Sequence, residues 1–180
     1  AALLGAEIEV AQEIAAAASS VGVCDLANDN APGQVVLSGA TLAIQAAVRL
    51  ASERGIRRAI MLPVSAPFHC SMMQPAAERM AEALTETVIR TPSVPLVANV
   101  LAAPVSGDAA EIRACLVQQV TAMVRWRESI NWLSNEGVDL FVEVGSGKVL
   151  SGLAKRIVSG AETLTIGAPD DIDAAVARLS

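Results

Sequence analysis

Tyrosine is missing from this 180-residue chain, and two phenylalanines and two tryptophans are its whole aromatic complement. Proteins that grip single-stranded nucleic acid stack bases on aromatic rings, and here that mode has almost nothing to be built from. Basic residues are outnumbered, 13 Lys and Arg against 19 Asp and Glu, for a net charge of −6. That sign argues against general binding to phosphate backbones. Hydrophobic residues reach 53%, yet no run approaches the ~18 apolar residues that would suggest a membrane span. Much of the apolar content is alanine. Cys24, Cys70 and Cys115 are widely spaced, with no Cys-x-x-Cys pair. This pattern fits reduced thiols in the cytoplasm rather than a disulfide frame or a zinc site. His69 is the only histidine, so a metal site has no second imidazole to draw on. There is no basic-then-apolar leader. A Gly-x-Ser-x-Gly elbow, the usual seat of a serine nucleophile between strand and helix, is also absent.

What is present is an alternation of apolar patterns. Residues 1–4 read as a strand, 7–19 as a helix and 21–26 as a strand, followed by a polar turn over 27–33. Residues 34–38 (QVVLS) form a β-branched strand, 41–54 a helix ending at Gly55, and 58–64 a last strand. The order β-α-β-β-α-β is that of a ferredoxin-like unit. After Pro63 the texture changes. Residues 64–71 are a loop broken by Pro67. Helices follow over 75–86, 108–121 (with Asp108 as N-cap) and 127–136. Short strands fall at 95–100, 140–144 and 163–166, with helices at 148–158 and 170–179. The fold class is α/β, with parallel pairing expected in the second half. That half has few strands for a free-standing sheet. Because the chain opens on strand-like residues with no methionine, it is expected to continue upstream.

His69 sits in a loop after a strand, where α/β scaffolds place functional groups. A neutral imidazole is the usual general base near pH 7. Taken alone, a hydrogen-bonded structural histidine is the commoner reading. Gly145-Ser146-Gly147-Lys148 can aim backbone N–H groups at an anion, although it fits neither the P-loop nor the dinucleotide spacing. A plain strand-to-helix turn is the simpler account. Cys70 adjoins His69, but adjacent side chains on extended backbone point apart. Arg57-Arg58 and Lys155-Arg156 are adjacent basic pairs that could meet an anionic ligand or be solvated.

Three segments carry a resemblance. They are Asn28-Asp29-Asn30-Ala31-Pro32-Gly33-Gln34-Val35-Val36-Leu37-Ser38-Gly39, Pro63 to Ala76 around Pro67-Phe68-His69-Cys70-Ser71, and Glu143-Val144-Gly145-Ser146-Gly147-Lys148-Val149-Leu150. In this order and spacing they resemble segments of the bacterial malonyl-CoA:acyl-carrier-protein transacylases, over nearly the whole chain. The resemblance implies a ferredoxin-like small subdomain over 1–64. Residues 65–180 would be the C-terminal part of an α/β-hydrolase-like large subdomain, whose earlier strands and serine elbow precede Ala1. It implies a cytoplasmic enzyme of fatty-acid synthesis that moves malonyl from coenzyme A to the phosphopantetheine thiol of acyl carrier protein. The transfer is ping-pong, through a serine. His69 is then the base, and the backbone carbonyl of Gln119 orients it, as the acid does in a serine triad. Asn28, Asn30 and Gln34 line the coenzyme A cleft, Arg57 and Arg58 face the approach of coenzyme A and carrier, and Phe68 selects malonyl over methylmalonyl. No metal or cofactor is implied beyond the coenzyme A thioester, and no nucleic acid or membrane partner.

Ser146, Gln118, Ala98 and Met123 depart from the family's usual proline, arginine, asparagine and proline. Two alternatives remain open: an acyltransferase domain fragment of a polyketide or fatty-acid synthase, and a non-catalytic remnant that binds carrier protein.

Overall fold

The computed structural model describes residues 1–179; Ser180, the last residue of the second expected subdomain, lies outside them. The chain divides into two compact units, Ala1–Ser129 and Ile130–Ser180. The division expected after residue 64 falls inside the first.

The first unit opens with β1 (Ala2–Leu4), α1 (Ile8–Ala18), β2 (Cys24–Ala31), β3 (Gln34–Gly39), α2 (Thr41–Glu53) and β4 (Arg58–Ile60). The strands form one antiparallel sheet in the order β2-β3-β1-β4, the split arrangement of a ferredoxin-like unit. Leu3, Ile14, Val35 and Leu37 are fully buried between sheet and helices, each worth about 1.5–3 kcal/mol of apolar burial. The helices meet this core with Ala11, Ala15 and Ala18 on α1 and Ala43, Ala47 and Ala51 on α2. Small side chains let both helices lie close to the sheet, which is where the alanine excess is used.

The polar run expected as a turn over 27–33 is mostly strand. β2 continues through Asn28, Asp29 and Asn30, and only Pro32-Gly33 turns. Gly33 has φ 68°, as the third position of a Pro-Gly turn of type II requires. Such a turn mismatches the twist of a hairpin. Register shifts between Leu26 and Asn28, and between Asp29 and Ala31, leave Ala27 and Asn30 as extra residues on β2. These bulges bend the strand and re-aim its side chains. β2 is also an edge strand, and its open side is met by Val124, whose N–H donates to Ala27 O and whose carbonyl accepts from Asp29 N–H, each at 2.8 Å. A partner distant in the chain thus makes strand of a sequence that looks like loop.

Two other expectations were too long. β4 stops at Ile60 instead of reaching residue 64, and the strand expected over 95–100 shrinks to β5 (Val97–Ala98), paired with β6 (Ala103–Pro104). Alternating and apolar residues mark a possible strand, but a ladder extends only as far as a neighbour pairs with it.

The rest of the unit holds α3 (Gln74–Thr85), α4 (Ala109–Gln118) and the start of α5 (Trp126–Asn135), within which the division between units falls. Asp108 caps α4, accepting the Glu111 N–H at 3.3 Å. Replacing it with alanine is expected to cost about 1 kcal/mol of stability, measured by urea denaturation, with Asp108→Asn close to wild type.

In the second unit β7 (Leu140–Val144), α6 (Val149–Ile157) and β8 (Glu162–Ile166) form a strand-helix-strand turn, the strands pairing in parallel as expected. α7 (Ile172–Leu179) follows. Val144, at the end of β7, is 74% exposed.

Candidate functional site

His69 stands at φ 56°, in the left-handed region that only a few per cent of non-glycine residues adopt, His among the enriched types. Strain of this kind collects at functional sites. The loop is fixed on both sides of the ring. The buried Cys70 thiol donates to Pro67 O at 3.1 Å. The N–H and hydroxyl of Ser71 both donate to Asp25 Oδ2 at 2.8 Å.

The imidazole Nδ1 lies 3.1 Å from the carbonyl oxygen of Gln119 and 3.2 Å from that of Ala122. Carbonyl oxygens only accept, so Nδ1 carries a hydrogen and, in the neutral ring, Nε2 is left with its lone pair. The Gln119 carbonyl comes from the C-cap of α4, where the last turn's carbonyls have no helical partner, and the Ala122 carbonyl from the turn that follows. The negative end of the helix dipole is therefore presented to the ring. Ala122 carries no sequence signal for its part, because a backbone carbonyl is the same in every residue.

His69, Phe68 and Asn28 line one cavity of about 280 Å3, together with Ser38, Leu62 and Val64. Phe68 is about half exposed. Asn30, on the second bulge of β2, is half-buried; Gln34 begins β3 opposite Ala31 and Leu4; Arg57 and Arg58 are exposed at the start of β4. None of these four lines the cavity. The structure thus joins four of the eight expected residues (His69, Gln119, Phe68 and Asn28) and leaves the others outside. Around the cavity Ile60, Met61, Leu62, Val64, Phe68 and Met72 are all exposed apolar residues on one stretch of chain.

Cysteine chemistry has no support at Cys24: burial, with Asp25 nearby, pushes its thiol up to about 11, so it stays protonated. Among the described residues no group of three or more His, Cys, Asp or Glu could hold a metal ion, and no helix is long and apolar enough to cross a membrane. In the second unit the helix that follows the Gly145-Ser146-Gly147-Lys148 turn does receive an anion, but the protein's own. Glu143 accepts the N–H groups of Leu150 (3.2 Å) and Ser151 (2.8 Å) at the start of α6. Hydrogen bonding from Ser151 foremost, and then from Leu150, holds its carboxyl below the ordinary range.

Sequence reasoning passed over two clusters. Asp29, 1% exposed, accepts from Arg127 Nε at 2.8 Å. Burial nevertheless raises its carboxyl above the ordinary value, against the opposing hydrogen bond and charge of Arg127. Asn99 is a second: its Nδ2 donates to Met123 O at 3.3 Å and its Oδ1 accepts the Arg125 N–H at 3.0 Å. Either could have been noticed only as a polar residue inside an apolar pattern.

No family model matches the chain. It is 41% identical over 180 residues to the malonyl CoA-acyl carrier protein transacylase of Bacillus subtilis, covering 99% of this chain and 56% of that protein. The crystal structure of an acyl-carrier-protein S-malonyltransferase from Bartonella henselae superposes with a TM-score of 0.94 at 48% identity, over 99% of this chain and 56% of that one. A malonyl-transacylase solved in complex with a type II polyketide acyl-carrier protein gives 0.93 at 32% identity, over 98% and 57%. The chain thus spans about half the length of the relatives it matches.

Proposed function

We propose that this chain, which resembles the malonyl-CoA:acyl-carrier-protein transacylases over almost all its own length and about half of theirs, carries the general base of their malonyl transfer. The observation that supports this most is the double carbonyl clamp on His69 Nδ1, which leaves Nε2 as the proton acceptor.

The nucleophile is a serine on a segment that precedes Ala1. Its hydroxyl is barely nucleophilic at neutral pH and must lose a proton as it attacks. His69 Nε2 takes that proton as the serine oxygen bonds to the thioester carbonyl carbon. The C–S bond then breaks and the proton passes to the departing coenzyme A sulfur. In the second half, Nε2 takes the proton of the carrier's phosphopantetheine thiol. The sulfur attacks the malonyl-serine ester, and the serine oxygen recovers the proton on leaving. The imidazolium formed in each half lies against the carbonyl end of α4. Phe68, at the cavity mouth, limits the space beside the acyl group and so favours malonyl over an α-methylated chain. Asn28, Asn30 and Gln34 serve the coenzyme A cleft, and Arg57 and Arg58 the approach of the anionic ligand and carrier. No metal or further cofactor enters, and the setting is the cytoplasm. Residues 1–64 and 65–180 act as the small subdomain and part of the large one. The exposed apolar stretch from Ile60 to Met72 suits a face that the serine-bearing segment covers.

Intact mass after incubation with malonyl-CoA tests this. The 18.5 kDa chain alone is expected to gain no malonyl group. Mixed with the serine-bearing half of a relative, it should support an adduct on that half. An adduct on the isolated chain would overturn the assignment.

A further inference from the structure

The stretch that offers its carbonyls to His69 lies mostly between α4 and α5, and its own secondary structure does not hold it. It is held instead by β2. Val124 exchanges two backbone hydrogen bonds with Ala27 and Asp29, and three residues on, Arg127 Nε donates to Asp29 Oδ2, all at 2.8 Å. Asp29 is 1% exposed and Arg127 24%. The other carboxylate oxygen, Asp29 Oδ1, accepts no hydrogen bond among the described residues. A buried carboxylate satisfied on one oxygen only, by a partly exposed arginine, is a poor source of stability, because desolvation offsets the attraction. The upward displacement of its carboxyl points the same way. What the pair does provide is direction. It pins the start of α5 to the strand that also carries Asn28, while Asp25 on that strand anchors Ser71, two residues after the histidine. One bulged strand therefore sets both the ring and its acceptors.

We propose that the Asp29–Arg127 ion pair is a positioning device for His69, holding the Gln119 and Ala122 carbonyls where they select the Nδ1–H tautomer. This deepens the assignment of His69 as the base and rests on it.

His69 is the only histidine in the chain, so 15N-histidine NMR reports one ring. The measurement is made on the whole chain, at a pH high enough to leave the ring neutral. The wild type is expected to favour Nδ1–H by about tenfold or more. Asp29→Asn, close in shape, should bring the two tautomers to within about threefold of parity, with the melting temperature retained. The double variant Asp29→Asn/Arg127→Met removes both charged groups and leaves no unpaired buried ion. It decides the matter if the single variant folds poorly. Loss of the tautomer preference in a folded variant supports the clamp, and an unchanged preference overturns it. A wild-type ring carrying its hydrogen on Nε2 would instead overturn the assignment of His69 itself.

Discussion

His69→Ala, in the chain joined to the serine-bearing half of a relative, is expected to lower the rate of malonyl transfer by roughly 10²–10⁴-fold, the usual contribution of a positioned acid–base group. On the proposed mechanism one nitrogen serves both the serine and the carrier thiol, so the loss should appear in both halves of the reaction. Stopped-flow release of coenzyme A and single-turnover transfer to acyl carrier protein measure the two separately. Gln119→Ala is the control. The atom that holds the ring is a backbone oxygen, and alanine suits the end of α4, so the rate should stay within about threefold of wild type, under 1 kcal/mol. A collapse with Gln119→Ala would give the role to the Gln119 side chain and not its backbone oxygen, and full activity in His69→Ala would remove His69 from the mechanism.

The second large effect is on stability. Gly39 ends β3 at φ 158°, and a Cβ built there would stand 2.0 Å from the Val23 carbonyl oxygen and 2.6 Å from its carbon. Both are backbone atoms, and that oxygen already accepts the Ala40 N–H at 2.8 Å. Nothing flexible can move aside. Gly39→Ala must therefore part β3 from the start of β2, at a cost of about 3–5 kcal/mol, a fall of about 10 °C in melting temperature by calorimetry. Gly55→Ala isolates the conformational component, because its φ of 82° is unfavourable but no atom lies within 4 Å. It should cost about 1 kcal/mol. Equal effects at the two positions would mean that the close approach of the strands is not maintained in solution.

Several features were legible because they depend on neighbours in sequence. The β-branched run in QVVLS, the alanine-lined faces of α1 and α2, and the Asp108 cap are local, and each lies where its pattern places it. The βαββαβ order followed from those periods. The limits of β4 and β5 were not legible, since a strand ends where its partner ends. Nor was the strand through Asn28-Asp29-Asn30. Its residue types favour turns, and the hydrogen bonds to Val124 and the ion pair to Arg127 that settle the matter come from about a hundred residues away.

The same division runs through the site. The amino-acid sequence by itself supplied the single imidazole and its proline-bracketed loop, along with a net charge and aromatic poverty that speak against nucleic acid. The three segments pointed to an acyltransferase. Only the tertiary structure decided which ring nitrogen bears the hydrogen, because the choice is made by two carbonyl oxygens some fifty residues from the ring. Carbonyl oxygens are common to every residue and leave no trace in side-chain sequence. Only packing could bring them there, with a bulged strand and a buried ion pair setting their place.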